Sequence, residues 1–123
     1  MQQQIEIYLA DENKLYQDWF AIYNPPTNTE VVKFAEKPSL ESLKKRFANW
    51  FDSQEKALRK IICEESGYNK KTFENRIALI TGIAIDCLVV TYGFSTANTL
   101  TIATILVVDG YLERLCPETK VQG

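Results

Sequence analysis

Ile5-Glu6-Ile7-Tyr8-Leu9-Ala10-Asp11-Glu12-Asn13-Lys14-Leu15-Tyr16-Gln17-Asp18-Trp19-Phe20-Ala21-Ile22-Tyr23 decides the fold class, because it carries two periodicities at once. Ile5, Ile7 and Leu9 alternate with other residues, the period of a half-buried strand, and Asp11-Glu12-Asn13 follows as a turn. Leu15, Trp19 and Ile22, with Tyr16, Phe20 and Tyr23 beside them, form two adjacent helical rows. The same density of Trp, Phe, Ile and Tyr also suits a strand. Read as strands, the two halves make a hairpin. Glu30-Val31-Val32-Lys33-Phe34 supplies a third strand after the turn at Asn24-Pro25-Pro26-Thr27-Asn28, where paired prolines remove backbone donors. The expected fold is α+β: a short amino-terminal antiparallel β-meander over residues 4–36, followed by three α-helices. An all-α bundle is the alternative if residues 15–23 are helical.

Beyond Lys37-Pro38 the pattern is helical. Ser39 is a candidate N-cap, whose hydroxyl can accept from a free amide of the first turn. The amphipathic helix it opens is expected over 39–66, ending near Gly67. Leu40, Leu43, Phe47, Trp50, Phe51, Leu58, Ile61 and Ile62 fall on one stripe at about 100° per residue, a core-facing side. On the opposite side, Lys44-Lys45-Arg46 and Lys56-x-x-Arg59-Lys60 resemble a phosphate-binding surface only until their spacing is read. Glu41 to Lys45, Asp52 to Lys56 and Glu55 to Arg59 are acid-first pairs four residues apart, the order that supports an exposed helix.

Residues 70–116 read as an apolar antiparallel helical hairpin. Between Ile77 and Tyr92 the only charged residue is Asp86, and the apolar side chains surround the helical wheel. Asn69 or Thr72 can cap this helix and Gly93 can end it. Its successor is expected from Ala97 to Cys116, with Gly110 inside it at a cost of about 1 kcal/mol relative to alanine. Residues 117–123 form a polar tail. All 123 residues are expected to make a single domain with one core.

Fourteen basic and sixteen acidic residues leave a net charge of −2, so no global positive field draws nucleic acid or anionic lipid. Histidine is absent, which removes the usual general base and the commonest metal ligand. No phosphate-cradling glycine loop or nucleophile elbow is present, and no cofactor is expected. The three cysteines, Cys63, Cys87 and Cys116, are widely spaced and read as reduced thiols, Cys63 and Cys87 on apolar helical positions. With no secretory signal pattern in the opening residues, the expectation is a cytoplasmic protein.

Function is read from the hairpin. Its helices are more apolar than one amphipathic helix and a small sheet can cover, so a partner or a second copy is expected on one face. Ala78, Gly82 and Asp86 stand four apart and allow close helix approach. Asn98, Ile102, Asp109 and Glu113 lie on the less apolar side of the successor helix, and Trp19 is an aromatic anchor candidate. These eight residues are the candidate partner-binding set. The chain is read as a non-catalytic adaptor or regulatory module, bound to a protein partner or to itself. A membrane-active hairpin is the alternative, although the Ile77 to Tyr92 stretch is shorter than the roughly 20 residues of a span. A histidine-free enzyme using Asp86 or Asp109, or a nucleic-acid-binding accessory protein using the aromatics, comes last.

Overall fold

The computed structural model describes residues 2–23, 39–67, 73–89 and 96–116, and every regular element within them is a helix. The expected β-meander is therefore corrected. Residues 2–23 form two helices, α1 (Gln2–Ala10) and α2 (Glu12–Tyr23). The anticipated strand at 30–34 and the Pro25-Pro26 turn lie outside the described residues.

The physical reason is visible in burial. In α1, Ile5 and Tyr8 are buried while Ile7 is 45% exposed, a spacing of three rather than two. Asp11 is the cap of α2 rather than the exit of a strand. Its Oδ1 accepts from the Lys14 amide at 3.0 Å, and its carbonyl accepts from the Leu15 amide at 3.1 Å. Leu15, Tyr16 and Trp19 of α2 turn inward. The Tyr8 hydroxyl donates to Asp18 at 2.8 Å, and Lys14 pairs with the same carboxylate at 3.4 Å, joining α1 to α2.

Helix α3 (Leu40–Leu58) follows the sequence closely. Ser39 caps it, its Oγ accepting from the Ser42 amide at 3.1 Å, and Leu43, Phe47, Phe51 and Leu58 are fully buried. Its turns then widen into a π-helical segment, Arg59–Glu65, before Gly67 stops the chain at φ +63°. On its outer side the Glu55–Arg59 pair closes at 3.3 Å. Lys44 reaches across to Glu12 of α2 at 3.1 Å.

Helix α4 (Arg76–Gly82) begins later than the expected cap positions Asn69 and Thr72, which lie outside the described residues. Asn75 is the cap, its side chain accepting from the Ala78 amide at 2.9 Å. The helix continues as a second π-helical segment, Ile83–Leu88, which packs against the first.

Helix α5 (Thr96–Val108) is the centre of the fold. It is packed by α1, α2, α4 and the second π-helical segment, and no residue from Thr99 to Leu106 is more than 2% exposed. The Thr104 hydroxyl donates to the Leu100 carbonyl at 2.7 Å, which satisfies a polar group that water does not reach. Two amino-terminal helices thus supply the cover that a small sheet could not. No helix among the described residues is long and apolar enough to cross a membrane.

The expected single helix from Ala97 to Cys116 is also corrected. The chain breaks at Asp109-Gly110, where Gly110 takes φ +77°, and a short helix α6 (Tyr111–Leu115) follows. Gly110 is a helix terminator in the left-handed region rather than a tolerated interior glycine. Aromatic rings hold α6 to α3: Tyr111 lies 4.6 Å from Phe51 and 5.2 Å from Phe47, centroid to centroid. Phe47 also meets Trp19 of α2 at 5.0 Å.

Cys63 and Cys116 form a disulfide with Cα atoms 5.7 Å apart, which corrects the reading of all the cysteines as thiols. Spacing cannot reveal such a pair: 53 positions separate the two residues, and their helices meet only in the folded chain. A closed loop of that length stabilises the fold by about 4 kcal/mol in the chain-entropy account. Burial of Tyr111, Leu112 and Leu115 contributes about 2 kcal/mol each. Ordering the α6 backbone costs about 1 to 2 kcal/mol per residue, so burial alone leaves α6 near balance and the bond decides its docking.

Two substitutions test this account of the chain breaks. Asp11→Ala is expected to lower unfolding stability by about 1 kcal/mol through loss of the α2 cap. Gly110→Ala forces an L side chain into the left-handed region and is expected to cost about 1 to 2 kcal/mol. Denaturant midpoints compared with an exposed control, Ala57→Ser, check both.

Candidate interaction site

Asn75 fixes where α4 starts and therefore which residues of the helix share a face. From that start, Ala78, Gly82 and Asp86 follow at intervals of four. They line a groove of about 650 Å³, completed by Gln2 of α1 and by Phe73, Asn75, Ile77 and Thr81. Small side chains at 78 and 82 make its floor. The Thr81 hydroxyl is turned inward, donating to the Ile77 carbonyl at 2.7 Å.

The π-helical segment shapes the far end of the groove. Ile83, Ala84, Cys87 and Leu88 are buried, whereas Ile85 and Asp86 between them are exposed, Ile85 to 49%. A wider turn returns to the same face after about four to five residues, so this alternation of buried and exposed pairs keeps an apolar side chain and a carboxylate together on the surface. The Cys87 thiol donates to Ser66 Oγ at 3.3 Å and ties this segment to the end of the first π-helical segment. Among the described residues, Asp86 is the charged one lining the groove.

The remaining candidates lie elsewhere. Trp19 and Ile102 are core residues, 2% and 0% exposed, and pack inside the fold rather than facing a partner. Asn98 sits in the first turn of α5. Glu113 is exposed on α6 beside Gly110. Asp109, expected at a solvent edge or a partner contact, accepts a hydrogen bond from the Tyr16 hydroxyl of α2. Of the eight residues, the structure brings together Ala78, Gly82 and Asp86. Sequence reading missed Gln2, Phe73, Asn75 and Thr81, although Asn75 three places before Ala78 carries a cap signature.

Of the aromatics considered as base-stacking groups, Tyr16 and Trp19 are buried against Phe47 of α3, and the Arg46 guanidinium covers Phe20 at 5.3 Å from the ring centroid. Burial, and then the hydrogen bond to Asp109, push the Tyr16 hydroxyl well above the usual tyrosine range. Burial and the bond to Asp18 do the same for Tyr8. Both phenols hold their protons more tightly folded than unfolded. Their contribution to stability is therefore complete below the ordinary tyrosine pKa of about 10 and is lost as pH rises beyond it. The melting temperature is expected to fall between pH 8 and pH 11 by less in a Tyr8→Phe, Tyr16→Phe double variant than in the wild type. Equal losses in the two proteins would contradict the assignment. No family model, curated protein or solved structure matches this chain.

Proposed function

We propose that the chain is a non-catalytic interaction domain, an adaptor or regulatory module that receives a helical segment of a protein partner in the groove along α4. The observation that carries this reading is the combination in one groove of about 650 Å³ of the small residues Ala78 and Gly82 with the carboxylate of Asp86. Small residues let a second helix backbone approach closely. Exposed Ile85 beside Asp86 offers the apolar contact that anchors such a helix.

The charge on the groove selects the partner. A basic residue on the incoming helix complements Asp86 and fixes its register, whereas an acidic helix is disfavoured. A cytoplasmic setting belongs to the same proposal, and there a disulfide is a redox-responsive bond rather than a permanent staple. The membrane-inserting alternative receives less support. The buried helix α5 has 13 residues, which at 1.5 Å each span about 20 Å against a hydrocarbon core of about 30 Å.

Fluorescent amphipathic helical peptides with a small-residue stripe and a single lysine are the probes. The wild-type chain is expected to bind them, and Gly82→Leu, which fills the floor, is expected to abolish binding. Asp86→Lys should weaken binding of the lysine peptide roughly tenfold, about 1.4 kcal/mol, and favour a peptide with glutamate in its place. Equal binding by all three proteins would place the interaction outside the groove. Light scattering across concentrations tells a foreign helix from a second copy: a discrete multiple of the monomer mass that Gly82→Leu dissolves assigns the groove to self-association.

A further inference from the structure

Helix α6 is fixed at both ends, and between them it buries Tyr111, Leu112 and Leu115. Upstream, the Asp109 carboxylate accepts the Tyr16 hydroxyl, and the Asp109 amide donates to the Ile105 carbonyl at 3.1 Å, so α5 ends on a fixed point. Gly110 comes next, in the left-handed conformation that only glycine adopts without strain. Downstream, Cys116 is bonded to Cys63 on the π-helical segment after α3. The five residues between are too few to hold a helix by themselves. Their contacts to α3 are the Tyr111 ring against Phe47 and Phe51, and the Arg114 guanidinium 5.2 Å from the Phe51 centroid.

The two sulfurs differ in access. Cys116 is 1% exposed, whereas Cys63 is half-buried. Cys63 is thus the more exposed half of the bond, the side from which an incoming thiolate would attack. The Cys87 thiol is fully buried and donates to Ser66, so it stands outside this exchange.

We propose that the Cys63–Cys116 disulfide is a redox latch on α6. Closed, it clamps the short helix over Phe47 and Phe51. Reduced, it frees α6 to swing about Gly110 and expose those rings, while the Tyr16–Asp109 bond keeps α5 and the rest of the fold in place. The reductant is a dithiol. One of its thiolates attacks Cys63 Sγ, the Cys63–Cys116 bond breaks, and Cys116 leaves as a thiolate that takes up a proton. The second thiol of the reductant then attacks its own sulfur in the mixed disulfide and releases Cys63 as a thiolate, which is protonated in turn. Two electrons and two protons pass to the protein, and the reductant leaves as a disulfide. The proposal draws on the cytoplasmic setting only for the source of the dithiol, and the test below is independent of any binding at the α4 groove.

Mass-detected alkylation of the unfolded, non-reduced chain is expected to modify one cysteine, Cys87, and all three after dithiothreitol. Three modified at the outset would overturn the proposal. Hydrogen exchange is then compared before and after reduction of the wild-type protein. Amides of residues 112–116 are expected to exchange about tenfold faster or more after reduction, with residues 100–106 unchanged. A Cys63→Ser variant should exchange like the reduced protein and ignore dithiothreitol. Equal acceleration across 100–106 would make the bond a staple of the whole fold, and no acceleration would make it dispensable; either result overturns the latch. Brief glutathione treatment quenched with acid is expected to leave the adduct on Cys63, and an adduct on Cys116 would reverse the assigned direction of attack.

Discussion

Complete burial of residues 99–106 of α5 is the constraint from which the rest of the fold follows. A helix that presents apolar or internally bonded side chains in every direction must be surrounded, and α1, α2, α4 and the second π-helical segment each take one side of it. The threonines within it are compatible with that position because their hydroxyls can turn back to the helix carbonyls, as Thr104 does toward Leu100. This burial also explains why residues 2–23 have to be helical. A short two- or three-stranded sheet offers one face, whereas two helices wrap two sides of a cylinder.

Aromatic packing supplies the second organising contact. Trp19 from α2, Phe47 and Phe51 from α3 and Tyr111 from α6 meet ring to ring, so three elements far apart in sequence share one cluster. Tyr16 lies at its edge, with its ring against Phe47 and its hydroxyl on Asp109. One side chain thereby connects the cluster to the end of the central helix. Asp109 is exposed, yet its carboxylate accepts a hydrogen bond from the buried Tyr16.

What could be read from the sequence was local. The Ser39 cap, the stripe from Leu43 to Ile62 and the stop at Gly67 follow from propensity and period, and all are present, whereas the apolar stretch after Ile77 is buried on one side and leaves Ile85 and Asp86 exposed. The alternation of Ile5, Ile7 and Leu9 misled because three apolar residues fit either period, and the deciding residue is Asp11, whose cap over Lys14 turns a strand exit into a helix start. Gly110 was visible, but not the sign of its φ angle. Tyr16 with Asp109 and Cys63 with Cys116 lie 93 and 53 positions apart, and no periodic relation connects them. Of the candidate site, the Ala78, Gly82 and Asp86 row was legible as a row of small and acidic residues. The contribution of Gln2 to the lining depended on where α1 packs, which no local pattern reveals.

The two π-helical segments carry a consequence for any comparison of this chain with a regular helix. Each holds one residue more per turn than its neighbours, so side chains beyond it are rotated from the positions that α-helical counting assigns. Across residues 76–88 the exposed Ile85 and Asp86 fall between two buried pairs, Ile83-Ala84 and Cys87-Leu88, a repeat of four that the wider turns accommodate. An alignment by number with a regular helix therefore holds up to Gly82 and loses register beyond Leu88.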